Sequence, residues 1–222
     1  MVSQNNKINK DPKKSVQDRL LDAAEELFCE HGFEGTSIRD IAASADCNIA
    51  AVNYYFGGKE KLYIEVWRRH LIPIRDLRIA SINKVMAQNK GQPQLEELLR
   101  SFADTFVDPL VDANRTSRLG KLMAREYIDG HLSANMFVDE VITPTMTAMR
   151  KALVKTNPDL DESKVPLVVF SVVGQLLHLV HVKAMLEQVG DDSHLPIFDS
   201  TEVINHIIKF SLAGIRAYTK GE

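Results

Sequence analysis

Residues 20–62 read LLDAAEELFCEHGFEGTSIRDIAASADCNIAAVNYYFGGKEKL, and apolar residues recur through them at helical spacing. Ser15 with Asp18 makes a capping box for a first helix, whose stripe is Leu20, Leu21, Ala24, Leu27 and Phe28. Gly32 suits its end. Ser37 with Asp40 caps a second helix carrying Ile38, Ile41, Ala42 and Ala45. Asp46-Cys47-Asn48 is a tight turn, and Asn48 caps a third helix running through Phe56 to Gly57-Gly58. Small residues at 42, 43 and 45 let the helices on either side of the turn approach closely. This is the arrangement of a helix-turn-helix, in which one helix crosses the DNA backbone and the next enters the major groove. Ala50 and Ala51 leave room at the third helix's start for base edges, while Asn53, Tyr54 and Tyr55 give polar reach. Lys59 opens the next helix, with a charge that could pair with a phosphate. Spacing alone is equally compatible with a three-helix bundle used only for packing.

Outward from this stretch the helical period continues. Helix four carries Leu62, Val66 and His70, and Pro73 is expected to end or kink it. Further helices are expected near 74–89, 95–112, 116–129, 134–156, 164–189 and 200–219. Gly91-Gln92-Pro93, Ala113-Asn114, Gly130, Asn157-Pro158 and Gly190-Asp191-Asp192 separate them. Pro144 falls inside one of these patterns and predicts a kink or split there, whereas Pro166 lies in a first turn, where it is tolerated. The expected fold is all-α with nine to ten helices. A flexible basic arm spans 1–14, a helix-turn-helix domain 15–72, and a larger helical bundle 73–222.

The chain has 222 residues and a net charge of −3, so any affinity for nucleic acid rests on local charge. Lys7, Lys10, Lys13 and Lys14 make the N-terminus basic, either as a solvated tail or as an arm on phosphates. That start has no apolar core, so it does not read as a secretory signal. Two cysteines, Cys29 and Cys47, lie in no ligand spacing and fit a reduced compartment, the cytoplasm. The apolar stretch Val165 to Val182 is interrupted by Ser171, Gly174, Gln175, His178 and His181, which argues against a membrane span. No G-x-S-x-G, P-loop, H-E-x-x-H or di-metal carboxylate–histidine pattern occurs, so the residues support no enzyme and no cofactor.

The strings AAEELFCEHGFEGTSIRDIA and VNYYFGGKEKL resemble the signature of the TetR/AcrR family of transcriptional regulators, and NIAAVNYYFGGKEKLY resembles its CecR branch. The resemblance covers about a fifth of the chain. It implies a homodimer on near-palindromic, double-stranded operator DNA, usually a repressor, released by a small ligand. By position it puts Ser37, Arg39, Ala50, Ala51, Tyr54, Tyr55 and Lys59 at DNA contacts and Asn48 at the recognition-helix cap. Ile49 and Asn53 depart from the residues common in the family, so an operator sequence does not transfer.

The helix near 164–189 is apolar almost all round, and the last helix carries Ile204, Ile207, Ile208, Leu212 and Ile215. The two are expected to pair with a second copy as a four-helix interface through Val169, Val173, Leu176, Val180, Ile204, Ile208 and Leu212. The family uses its last two long helices in this way; burial within one subunit is the alternative. Phe102, Phe106, Met123, Met146 and Met149 could line a cavity for an apolar or amphipathic effector, or be ordinary core. Arg125 reads as a surface pair with Glu126, a buried pair, or a handle for a charged ligand. His178, His181 and His206 show no three-ligand convergence, so no metal is expected. Trp67 is expected between the two domains, and both cysteines as small apolar fillers.

Overall fold

A computed structural model describes residues 14–88, 94–111, 118–123, 125–126, 130–189 and 199–219. Most of the basic arm, including Lys7, Lys10 and Lys13, lies outside them, as do the Gly91-Gln92-Pro93, Ala113-Asn114 and Gly190-Asp191-Asp192 breaks.

The capping residues act as their types dictate. Helix α1 (Val16–His31) starts where the Ser15 hydroxyl accepts the Asp18 N–H. It ends where Gly32, at φ 73°, donates its N–H to the Phe28 carbonyl. A Cβ on Gly35 would stand 2.3 Å from the His31 carbonyl oxygen, so only glycine lets the chain double back here. Helix α2 (Ile38–Ser44) carries the full reciprocal capping box between Ser37 and Asp40. The turn places Asp46 at φ 55°, and α3 (Ile49–Phe56) follows with the Asn48 side chain accepting the Ala50 N–H at 2.9 Å. Gly57, at φ 74°, closes α3 in the left-handed conformation.

Helix α4 runs from Lys59 to Gln88 without a break, with Pro73 inside it. Of the end or kink expected at Pro73, the end does not occur, and the boundary drawn between 72 and 73 falls within one helix. An interior proline costs about 3 kcal/mol. Leu71 and Ile74 are buried on either side of it, and their packing offsets that cost.

Helix α5 (Leu95–Val111) packs on α4, and α6 is the short helical stretch 118–123. The segment expected as one helix over 134–156 is three pieces: α7 (Ala134–Phe137), a π-turn (Val138–Ile142) and α8 (Thr143–Thr156). The split lies beside Pro144, as its missing N–H predicts, and the Thr143 N–H reaches back five residues to the Val138 carbonyl. Helices α9 (Val165–Val189) and α10 (Ser200–Arg216) complete the fold.

Two apolar clusters divide the interior. One joins α1–α3 and the first half of α4 to Leu119, Leu122, Met136 and Val141. The other joins Ile82 and Val85 of α4 to α5, α8, α9 and α10. The domain of the first three helices thus shares its core with residues far downstream. Trp67 is buried in that shared core, its ring edge-on to Tyr63 at 6.2 Å.

Candidate nucleic-acid interface

Helix α3 is anchored by Val52 and Phe56, both buried, which fixes what it shows outward. Ile49, Ala50, Asn53, Tyr54 and Tyr55 are exposed, and Ala51 is half-buried. Tyr54 is 83% exposed and meets Tyr55 edge to face at 5.0 Å, so the two rings hold each other in a fixed pair. The exposed hydroxyls of Tyr54 and Tyr55 and the amide of Asn53 are donors of the kind that reach phosphates and base edges.

The other expected contacts surround α3. Arg39 is exposed on α2. Ser37 is committed to its cap, its hydroxyl donating to Asp40 Oδ2 at 2.5 Å and accepting the Asp40 N–H at 3.2 Å. Lys59 is half-buried, its Nζ 4.2 Å from the centre of the Phe33 ring, which fixes the charge at the start of α4. Sequence reading passed over Lys61, an exposed cation whose side chain crosses beside Gly57 at the end of α3. Lys14, last residue of the arm, pairs with Asp22 at 2.7 Å.

Behind this surface, described residues between 118 and 140 are tied to the first domain by polar contacts. Glu25, 3% exposed, lies 3.2 Å from cationic or imidazole nitrogens of Arg69, His70 and Arg118. Burial pushes its carboxyl up, but the His70 imidazole beside it, the hydrogen bond from Arg118 and the charge of Arg69 more than offset that, and it ends below its ordinary value. Arg125 donates to the Glu30 carbonyl at 2.7 Å. The Tyr63 hydroxyl donates to Glu126 Oε2 at 2.8 Å, and Glu126 Oε1 accepts the Leu132 N–H at 2.5 Å. The His131 ring lies 4.5 Å from Phe33, the ring beneath Lys59. Apart from Glu126 with Leu132, these pairs span tens of residues and carry no spacing signal. Cys29 is buried here, its thiol pushed up to about 11 by burial, so it stays protonated and apolar.

The expected effector residues do not come together as one set. Phe102, Phe106 and Met149 are buried in the second cluster, with Met146 partly buried against it. Met123 is 44% exposed, and Arg125 is engaged with the Glu30 carbonyl of α1.

The expected interface residues also divide. Val169, Leu176, Ile204 and Ile208 are buried within the subunit, where they cannot face another copy. Val173, Val180 and Leu212 are half-buried at the edge. The outward apolar face is instead Leu167, Phe170 and Leu177 on α9 with Phe210 on α10, and Phe170 is 74% exposed. Inward residues 165, 168, 169, 172 and 176 and outward residues 167, 170, 174 and 177 are two stripes of the same helix. An open groove of about 520 Å³ runs between α9 and α10 beside Gly174, Gln175, His178 and Ile207. By length and composition Glu162–Lys183, with mean hydropathy 1.9, could cross a bilayer; here a third of that window is buried against other helices.

Comparison with known proteins agrees with this geometry. The description of bacterial regulatory proteins of the tetR family matches residues 20–66. That of the C-terminal domain of the HTH-type transcriptional dual regulator CecR matches residues 95–215. The chain is 27% identical over 164 residues to CecR of Shigella flexneri, covering 72% of this chain and 73% of that protein. It is 51% identical over 47 residues to the HTH-type transcriptional regulator YttP of Bacillus subtilis (strain 168), a stretch spanning 21% of this chain and 23% of that protein. In fold it is similar to a transcriptional regulator from Pseudomonas aeruginosa PAO1, with TM-score 0.66 at 18% identity, covering 94% of this chain and 93% of that one. A TetR-family regulator from Mesorhizobium loti superposes with TM-score 0.58 at 18% identity, covering 92% of this chain and 96% of that one.

Proposed function

Because the chain belongs to the TetR family of bacterial regulatory proteins and carries a CecR-type C-terminal domain, it is a DNA-binding transcriptional regulator and not an enzyme, and we propose that it works as a ligand-released repressor, bound as a homodimer to a near-palindromic operator in the cytoplasm. The observation that carries the reading is the shared core: Leu119, Leu122, Met136 and Val141 of the downstream domain pack among the residues that hold α3 in place. In this reading a shift of the downstream helices acts on the core that carries the reading helix. Unbroken α4 strengthens this, since it runs as one rod from Lys59 to residues packed against α5. In this reading α3 enters the major groove, Tyr54, Tyr55 and Lys59 contact phosphates, and Arg39 with Ala50, Ala51 and Asn53 faces base edges.

The outward stripe of α9 and α10 supports the dimer. Two exposed phenylalanines and two leucines form an apolar surface of the kind that pairs with its own copy. Gly174 and Gly214 have open space where a Cβ would stand, so a partner's helices can come close. Dimerisation sets two reading heads about 34 Å apart, one DNA turn.

The test is selection of bound genomic fragments, followed by titration of the recovered site with and without candidate ligands. The expected result is a two-fold symmetric site whose affinity falls by a factor of about 5–150 with a ligand. Recovery of no preferred duplex, or of a site that no ligand weakens, would overturn the reading.

A further inference from the structure

Arg78 interrupts the buried stripe of α4. Trp67, Leu71, Ile74, Ile82 and Val85 are all buried, and helical spacing sets Arg78 between Ile74 and Ile82, one turn from each. The same gap is the seam between the two apolar clusters, since Ile74 belongs to one and Ile82 to the other. The Arg78 guanidinium carbon lies 3.9 Å from the centre of the Phe106 ring. Its Nε is buried and has no hydrogen-bond partner among the described residues. Glu25 is surrounded by three basic side chains and Arg68 by two carboxylates, but no described carboxylate is paired with Arg78.

Folding alone does not explain an arginine here. An apolar side chain of similar length would fill the seam without a desolvated charge, and such replacements are commonly neutral or stabilising. Burial pushes the guanidinium down to about 10, so it stays cationic at neutral pH, yet in its less comfortable form. Arg78 is partly buried, its guanidinium stacks on Phe106, and its buried Nε has no partner among the described residues, so an anion reaching this seam would meet a cation with donor capacity to spare.

We propose that Arg78 is the anion-binding residue of an effector site at this seam, and that the site takes a small amphipathic carboxylic acid. The carboxylate is received on the guanidinium's N–H edge, and the apolar body lies against Phe102, Phe106 and Met149. The proposal rests on the ligand-responsive reading above and names the ligand's chemistry. A planar guanidinium matches a carboxylate through two parallel bonds. A dianionic phosphate would leave a second charge uncompensated among apolar neighbours, which is costly.

Calorimetry on the full chain tests it with three probes of one shape: 2-naphthoate, the neutral 2-naphthalenemethanol and the dianionic 2-naphthyl phosphate. Wild type is expected to bind 2-naphthoate at least ten-fold tighter than either of the others. Arg78→Met is expected to lose that preference while binding the alcohol as wild type does, and to melt at a higher temperature without ligand. Arg78→Lys, which keeps the charge but not the fork, is expected to fall between. The site is overturned if wild type binds no probe at millimolar concentration, if Arg78→Met keeps the preference, or if Arg78→Met melts below wild type, which would make Arg78 a structural residue. Operator affinity is read separately: a probe that binds through Arg78 but leaves operator binding unchanged sustains this site and sinks the ligand-released reading.

Discussion

The Arg68 guanidinium grips both carboxylate oxygens of Glu140, at 2.8 and 2.5 Å, across 72 residues of sequence. Arg68 lies on α4 and Glu140 in the π-turn ahead of Pro144, so the pair fastens the irregular turn to the rod that begins at Lys59. Arg75, two turns along α4, donates to the Glu140 carbonyl at 2.8 Å. These bonds hold the Glu140 carboxyl below its ordinary value of 4.5.

Arg68→Ala and Glu140→Gln should each destabilise the protein by about 1 kcal/mol, with a coupling of similar size in a double-mutant cycle, since both partners are partly exposed. Glu140 has a lowered folded pKa, so its contribution is complete above about 4.5 and is lost as pH falls through the lower folded value. Urea titrations at pH 7 and pH 3 should show the cycle's coupling at the first and a diminished one at the second. Equal coupling at both would mean the carboxylate is not what Arg68 holds.

Glu25→Gln removes the carboxylate from a buried cluster. Arg69 and Arg118 are half exposed and can turn to water, which limits the cost to about 1–3 kcal/mol. The variant should also weaken the response of operator binding to ligand, since Arg118 ties α6 to α1 through this carboxylate. A variant as stable as wild type in chemical denaturation would remove Glu25 from that role.

Tyr54→Ala should leave stability within about 0.5 kcal/mol, because the ring is 83% exposed, while reducing affinity for operator DNA. Lys59→Ala should weaken binding to all sequences and reduce the salt slope by about one unit. Asn48→Ala should cost about 1 kcal/mol through loss of the α3 cap. Gel-shift titrations over a salt series, beside thermal melts, separate the three. Wild-type DNA binding by both Tyr54→Ala and Lys59→Ala would mean that α3 docks in some other way.

Phe170→Asp and Phe210→Asp place charge on the outward face and should yield folded monomers with weakened operator binding. Leu176→Asp, at a fully buried position, should unfold the subunit itself, because an unpaired buried charge costs several kcal/mol. Light scattering with circular dichroism tells these outcomes apart. A Phe170→Asp variant that stays dimeric would put the interface elsewhere.

What the sequence determined by itself is local. Ser15, Gly32, Ser37, Asp40, Asn48 and Gly57 each bond within a few residues of their own position, so α1 to α3 could be read from residue types and spacing, as could the break beside Pro144. Which side of α3 turns outward follows the same helical spacing: Val52 and Phe56 are buried, and the residues between them are exposed. Tertiary structure decided everything that depends on two distant segments meeting. Pro73 stays inside α4 because packing on both sides outweighs its local preference. Periodicity marked α9 as apolar all round but could not say which stripe faces inward, and only packing against α5, α8 and α10 sent Leu176 inside and Phe170 out. Glu25 with Arg118, Tyr63 with Glu126 and Arg68 with Glu140 join charges and hydroxyls that no helical period relates. Capping and turn chemistry is settled within one turn of chain, whereas an ion pair or an interior face is settled by where the rest of the chain comes to lie.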